Sequence, residues 1–436
     1  MPMSDDFSAF GADDLPGAAG IVVRSVTRTP ARRKRRCRGI TQVRDAEPVH
    51  EDSAASSRCS AAPNDGCTAT PDGVFTRTRS MRTRLPTAGL LHAALLLCTA
   101  TACASGPAAR PVEAVADDYV HPQRRIEVEP GRRMHLLCMG EGAPTVVFDS
   151  GLSDWSSAWA LIQPAVATRT RACSYDRAGM GYSDPASRPA TPANLVDDLH
   201  ALLAAGGIDG PLLLVGHSLG GFDMKLYAAT YPQQVAGLVL VDPSEERMWA
   251  RVGPVLAPRF GEALVRDARA DDAGGIREAV EHFRDCARDA RAGRLDDARY
   301  AQCTDPVRVP LGPAILAERR RLQATVAYQE AQAAEIAACP YVSDATADAR
   351  YAALFDGKRP FGDKPVVVLT HSLWDMTPPL GEIGYHAYVA AHRQTAALST
   401  RGVQRMVPMS RHNIQIDQPQ AVIDAVAEVL DALRKP

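Results

Sequence analysis

The chain has 436 residues, enough for one large domain with an insertion or for two ordinary domains. A formal charge of -2 with 23% charged residues excludes the strongly basic balance of a nucleic-acid-binding protein, and 46% hydrophobic residues supply a sizeable core. The sequence carries no zinc-type cysteine spacing, P-loop or dinucleotide fingerprint, so it indicates no cofactor and no metal.

Residues 1–80 are rich in Arg, Ala, Ser, Asp and Thr and lack sustained hydrophobic periodicity, a composition that does not bury a core. The basic run from Arg32 to Arg36 reads as a solvated patch. At Met81 the pattern changes. Met81 to Arg84 form a short basic start, and Gly89 to Ala102 an apolar stretch ending in small residues, the anatomy of a secretory signal over 81–103. Cys103 directly follows Ala100-Thr101-Ala102, which also resembles a bacterial lipoprotein signal with Cys103 as the lipidated residue. The expectation is therefore an exported protein, secreted, periplasmic or anchored at the cell envelope. Met81 is then the initiator, and 1–80 a disordered extension or the product of a misplaced start. The apolar run is too short to span a bilayer comfortably.

A Pro/Ala-rich linker covers 104–119, and three parts follow: 120–243, 244–362 and 363–436. In the first, Arg125 to Glu129 and Arg133 to Cys138 alternate like a hairpin turned at Pro130-Gly131. Pro144 to Asp149 is a continuously apolar strand of the doubly buried kind. A helix is expected over Ser156 to Thr168, a strand over Arg171 to Asp176 and an amphipathic helix over Thr191 to Ala205. The strand after Pro211 ends in Gly216-His217-Ser218-Leu219-Gly220, a helix follows from Phe222 to Tyr231, and Val235 to Val241 form the next strand. From 244 to 362 helical periodicity replaces the strand rhythm, notably over Gly274 to Ala292 and Ile315 to Ala338. Strands resume at Lys364 to Thr370 and Val403 to Pro408, with helices near Gly384 to Leu398 and Pro419 to Arg434. Such alternation implies a mostly parallel sheet covered on both faces.

Gly216 to Gly220 is a G-x-S-x-G nucleophile elbow, in which a sharp strand-to-helix turn projects the serine hydroxyl. Upstream, Asp176-Arg177-Ala178-Gly179-Met180-Gly181-Tyr182-Ser183 is similar to the loop after the fourth strand of α/β-hydrolases. Both motifs stand in family order, and residues 120–436 together resemble the α/β-hydrolase fold superfamily, of the serine esterase or lipase kind. The resemblance implies an α/β fold with a mostly parallel sheet of about eight strands flanked by helices, and an inserted helical cap over 244–362. It also implies oxyanion-hole N–H groups from Leu219 and Leu152, and loop-tying rather than catalytic roles for Asp176 and Arg177.

A serine hydroxyl needs a histidine base and a carboxylate to orient that base. Ser218 is the nucleophile, and His412, after the last strand, fits the base. His217 reads as a packing or orienting residue. The acid is Asp375, in the loop after the seventh strand, or Asp242, at the end of the sixth; loop position favours Asp375. The expected reaction is hydrolysis of a small-molecule carboxylic ester through an acyl-enzyme. Amide or lactone hydrolysis and acyl transfer are the rivals with the same triad, and a non-catalytic binding protein is the rival of a different class.

Five cysteines follow Cys103. Export permits disulfides, with Cys286–Cys303 the first candidate pair and Cys138–Cys173 the second; buried free thiols are the alternative.

Overall fold

Short runs rich in Val and Leu become the strands of one eight-stranded sheet in the computed structural model, which describes residues 116–342 and 344–434. The expectations for 1–80, for the signal over 81–103 with Cys103, and for most of the linker lie outside these residues. The strands are β1 (Arg124–Glu129), β2 (Arg132–Met139), β3 (Thr145–Asp149), β4 (Ala172–Tyr175), β5 (Leu212–His217), β6 (Val235–Val241), β7 (Pro365–His371) and β8 (Arg401–Val407). Their spatial order is β1-β2-β4-β3-β5-β6-β7-β8. β2 runs antiparallel to both β1 and β4, and every other neighbouring pair is parallel. β3, β5 and β7 are buried at every position, as strands covered on both faces must be.

The helices are α1 (Gln163–Ala167), α2 (Pro192–Ala205), α3 (Ser218–Thr230), α4 (Met248–Phe260), α5 (Glu262–Arg291), α6 (Asp297–Gln302), α7 (Pro313–Gln323), α8 (Val326–Ala338), α9 (Ala345–Phe355), α10 (Leu380–Ala396), α11 (Ile414–Asp417) and α12 (Pro419–Arg434). On one face of the sheet, Leu199 and Leu202 of α2 and Phe222 and Leu226 of α3 share a core with Leu212 and Leu214 of β5. On the other, Val422, Val426 and Val429 of α12 share a core with Trp159, with Leu213 and Val215 of β5 and with Val239 of β6. Fully burying one such side chain contributes roughly 1.5–3 kcal/mol, so these two layers fix where the carboxyl ends of the strands meet.

Two expected helices are broken for identifiable reasons. The segment Ser156 to Thr168 divides into a 3-10 turn (Ser156–Trp159) and α1. Pro164 lies in the first turn of α1, where its missing N–H costs nothing; in a helix running through it, the ring would clash with the preceding turn. The segment Ile315 to Ala338 divides at Thr325, whose side chain accepts from Tyr328 N–H and caps α8. α3 also starts earlier than expected, at Ser218 itself.

Helices α4 to α9 stand between β6 and β7, the inserted helical region. Tyr351 and Phe355 of α9 join the core on the α2/α3 face. Disulfides join Cys138 to Cys173, directly opposed on β2 and β4, and Cys286 of α5 to Cys303 after α6. Cys339 is free and buried, and burial pushes its thiol up to about 11. No helix among the described residues is long and apolar enough to cross a membrane.

Candidate active site

The elbow is a consequence of close packing at three glycines. A Cβ on Gly216 would sit 2.3 Å from Gly220 O, and one on Gly220 would sit 2.4 Å from Ser150 O, both backbone atoms. One on Gly151 would meet His217 Nδ1 at 2.7 Å. With the turn this tight, Ser218 takes the left-handed conformation at φ 51°, an unfavourable state for a residue with a side chain. The bonds Gly220 N–H to Ser150 O (3.1 Å) and Ser244 N–H to Ser218 O (2.9 Å) hold the turn against β3 and the β6 exit.

His412, in the loop after β8, places Nε2 2.9 Å from Ser218 Oγ. Its Nδ1 lies 2.6 Å from Oδ2 of Asp242, so Nδ1–H donates to the carboxylate and Nε2 keeps the lone pair that faces the serine. This corrects the sequence preference for Asp375. That residue is exposed and accepts from the N–H (3.0 Å) and Oγ1–H (2.5 Å) of Thr377, a short turn that engages its carboxylate locally. Asp242 is fully buried at the end of β6 and, like Ser218, has a positive φ, 49°. Burial pushes its carboxyl upward, but His371 and His412 outweigh burial and hold it well below the usual carboxylate range.

Two further histidines surround this pair. Nε2–H of His217 donates to the backbone carbonyl of His412 at 2.9 Å, the orienting role its elbow position suggested. Burial, and then the neighbouring His412, lower His217 to about 3, so it stays neutral. His371, at the end of β7, bonds Asp242 through both its N–H and its ring. Sequence reasoning passed over it, although its place at the carboxyl end of a parallel strand was the available signal.

The loop after β3 is held from below and above. Arg177 of the Asp176-Arg177 motif donates to Asp149 Oδ1 (2.8 Å), Ser150 O (2.5 Å) and Gly151 O (2.6 Å). It also pairs with Glu335 of α8 at 2.6 Å, and Glu335 in turn accepts Ser153 N–H at 3.0 Å. Tyr328 Oη donates to Ser153 O at 2.9 Å, and Arg308 and Arg319 both pair with the buried Asp154. Asp176 performs a similar tie, accepting Ser156 N–H and Tyr182 N–H. These helical-region partners were invisible in the sequence because nothing in a run of Arg and Glu says which ones turn inward.

Leu152 is half-buried in that loop, and Leu219 lies in the first turn of α3, where helix amides have no partner within the helix. Their side chains share an apolar cluster with Ile336, Cys339 and Phe283 of the inserted region.

A family model described as alpha/beta hydrolase fold matches residues 144–280, the stretch holding the third strand, the elbow and the start of the helical insertion. The chain has the α/β-hydrolase fold. Among curated relatives of this chain, a cis-3-alkyl-4-alkyloxetan-2-one decarboxylase of Xanthomonas campestris pv. campestris is 30% identical over 171 residues, 36% of this chain and 57% of that protein. A putative carbamate hydrolase, RutD, of Cronobacter turicensis is 32% identical over 102 residues, 23% of this chain and 38% of that protein. The chain spans less than two thirds of the curated relatives it matches, between 15% and 57% of their lengths. Among solved structures, the epoxide hydrolase CorEH aligns with TM-score 0.50 at 18% identity, covering 72% of this chain and 100% of that one. A putative lipase from Acinetobacter baumannii AYE aligns with TM-score 0.50 at 15% identity, covering 72% and 93%; at this identity both show the fold.

Proposed function

We propose that the protein is a serine hydrolase that cleaves a small-molecule carboxylic ester through an acyl-enzyme. The observation that carries the assignment is the continuous relay from Ser218 Oγ to His412 Nε2 (2.9 Å) and from His412 Nδ1 to Asp242 Oδ2 (2.6 Å). Ser218 Oγ bonds to the acyl carbon while its proton passes to His412 Nε2, and the carbonyl oxygen becomes an oxyanion. The imidazolium is stabilised by Asp242, which is ionised and buried beside it. The N–H groups of Leu219 and Leu152 are assigned to the oxyanion. Collapse breaks the ester C–O bond, and the departing alkoxide takes the proton from His412. Water then attacks the acyl carbon, giving a proton to His412 and releasing the carboxylic acid; the proton returns to Ser218.

A serine at the elbow supports acyl transfer rather than the alkyl-enzyme chemistry that an aspartate nucleophile would allow. The test is turnover of p-nitrophenyl butyrate by Ser218→Ala, expected to fall at least about 10³-fold with an unchanged unfolding temperature. Full activity in the variant would refute the assignment.

Export, with envelope attachment through Cys103, is proposed as well, and the disulfides Cys138–Cys173 and Cys286–Cys303 support an oxidising compartment. Intact mass of the natural product should show a lipid-modified chain starting at Cys103; a mature chain keeping residues 1–80 would overturn it.

A further inference from the structure

The carboxylate of Asp242 serves two histidines. Oδ2 lies 2.6 Å from His412 Nδ1 and also 2.6 Å from His371 Nδ1, and Oδ1 accepts the backbone N–H of His371 at 3.0 Å. An ionised carboxylate can only accept, so both imidazoles donate from Nδ1 to the same oxygen. His371 is buried, and its ring is clamped by Trp374, stacked at 5.0 Å and 22°, and by Tyr388 at 5.9 Å. Tyr388 Oη also donates to Asp242 O, 3.2 Å away. The clamp thus grips both the side chain and the backbone of an aspartate whose φ of 49° is unfavourable on its own.

We propose that His371 is a positioning residue that fixes the rotation of the Asp242 carboxylate and divides its charge between two imidazoles. The proposal rests on the serine-hydrolase assignment above. The negative charge of Asp242 engaged by His371 Nδ1–H is withheld from His412, so His371 weakens the pull that Asp242 exerts on an imidazolium at His412. Removing the His371 donor strengthens that pull, and His412 then holds its proton to higher pH. The other titratable groups around His371 are His412 itself, Tyr388 and His392 of α10, and Glu245 beyond His392. Asp242 is the carboxylate bonded to the His371 ring, so the effect of replacing that ring runs through this aspartate.

The test compares His371→Phe, which keeps an aromatic ring but has no donor, with His371→Asn, whose side-chain N–H can replace Nδ1–H. For p-nitrophenyl butyrate, the acid limb of kcat/KM in His371→Phe should move upward by about 0.5–1 pH unit, with KM unchanged. His371→Asn should keep the limb near its original place. Equal limbs in all three proteins, with only a lowered unfolding temperature in the variants, would overturn the proposal, as would equal shifts in both variants. If His371→Phe does not fold, histidine-labelled nitrogen NMR of the unmodified protein decides. Two downfield Nδ1–H signals, from His371 and His412, are expected, and His371 in the Nε2–H tautomer would contradict the proposal. Ser218→Ala separates the two levels: loss of activity there with unmoved limbs in the His371 variants sinks this inference alone, whereas retained activity sinks the hydrolase assignment.

Discussion

Asp242 Oδ2 accepts the Nδ1 proton of His412 across 2.6 Å, from a carboxylate with no exposed surface. Replacing it by Asn keeps the shape but offers His412 an amide that can donate as well as accept, and so favours the wrong tautomer. Asp242→Asn should lower kcat on the order of 10³–10⁴-fold. Asp375→Asn, a change at an exposed loop residue, should cost far less. Steady-state kinetics on both variants checks the pair, and the reverse ranking would return the acid role to Asp375.

Gly220 has no room for a methyl group. Its Cβ would lie 2.4 Å from Ser150 O and 2.6 Å from Asp149 C, backbone atoms that move only if the elbow or β3 moves. Gly220→Ala should therefore destabilise by about 1–3 kcal/mol and displace Ser218 as well. Thermal unfolding and ester turnover should both fall, in contrast to Ser218→Ala, which should touch turnover alone.

Glu335 reaches from α8 to Arg177 and Ser153 N–H, so the loop carrying Leu152 depends on a carboxylate of the helical insertion. Breaking one partner of a buried ion pair costs about 3–5 kcal/mol, and Arg177 keeps Asp149, which places Glu335→Gln at or below the lower end of that range. If the neighbouring Leu152 N–H serves the oxyanion as proposed, steady-state kinetics should show kcat dropping more than KM rises, because that donor acts in the transition state rather than on the bound ester.

His217 is neutral when folded because burial lowers it to about 3 from an ordinary 6.5. The unfolded chain binds that proton as pH falls below 6.5 and the folded one does not until near 3, so stability declines across this window and is unaffected above it. Unfolding temperatures measured from neutral pH downward should fall from about pH 6.5. His217→Asn, which keeps a donor for His412 O but does not titrate, should have a flatter profile.

The sheet, the elbow turn and the place of His412 beside it were legible in the sequence because each rests on local rules. In β5, Leu212 to Val215 form an unbroken apolar run into Gly216, and few arrangements other than a buried strand and a sharp turn accommodate it. Which aspartate faces His412 was not legible, since Asp242 and Asp375 both follow strands and both precede His412; what separates them is burial and the direction of one carboxylate. His371 and Glu335 escaped for a related reason. Their partners, Asp242 and Arg177, are 129 and 158 residues away, a distance that only the folded chain closes.

A nucleophilic Ser218 activated by His412 should react with an electrophile directed at serine. Treatment of the intact protein with a fluorophosphonate, followed by peptide mass mapping, should find the phosphonyl group on Ser218, and none after Ser218→Ala or after prior denaturation. Folded protein left unlabelled at Ser218, or labelled equally in the alanine variant, would contradict it.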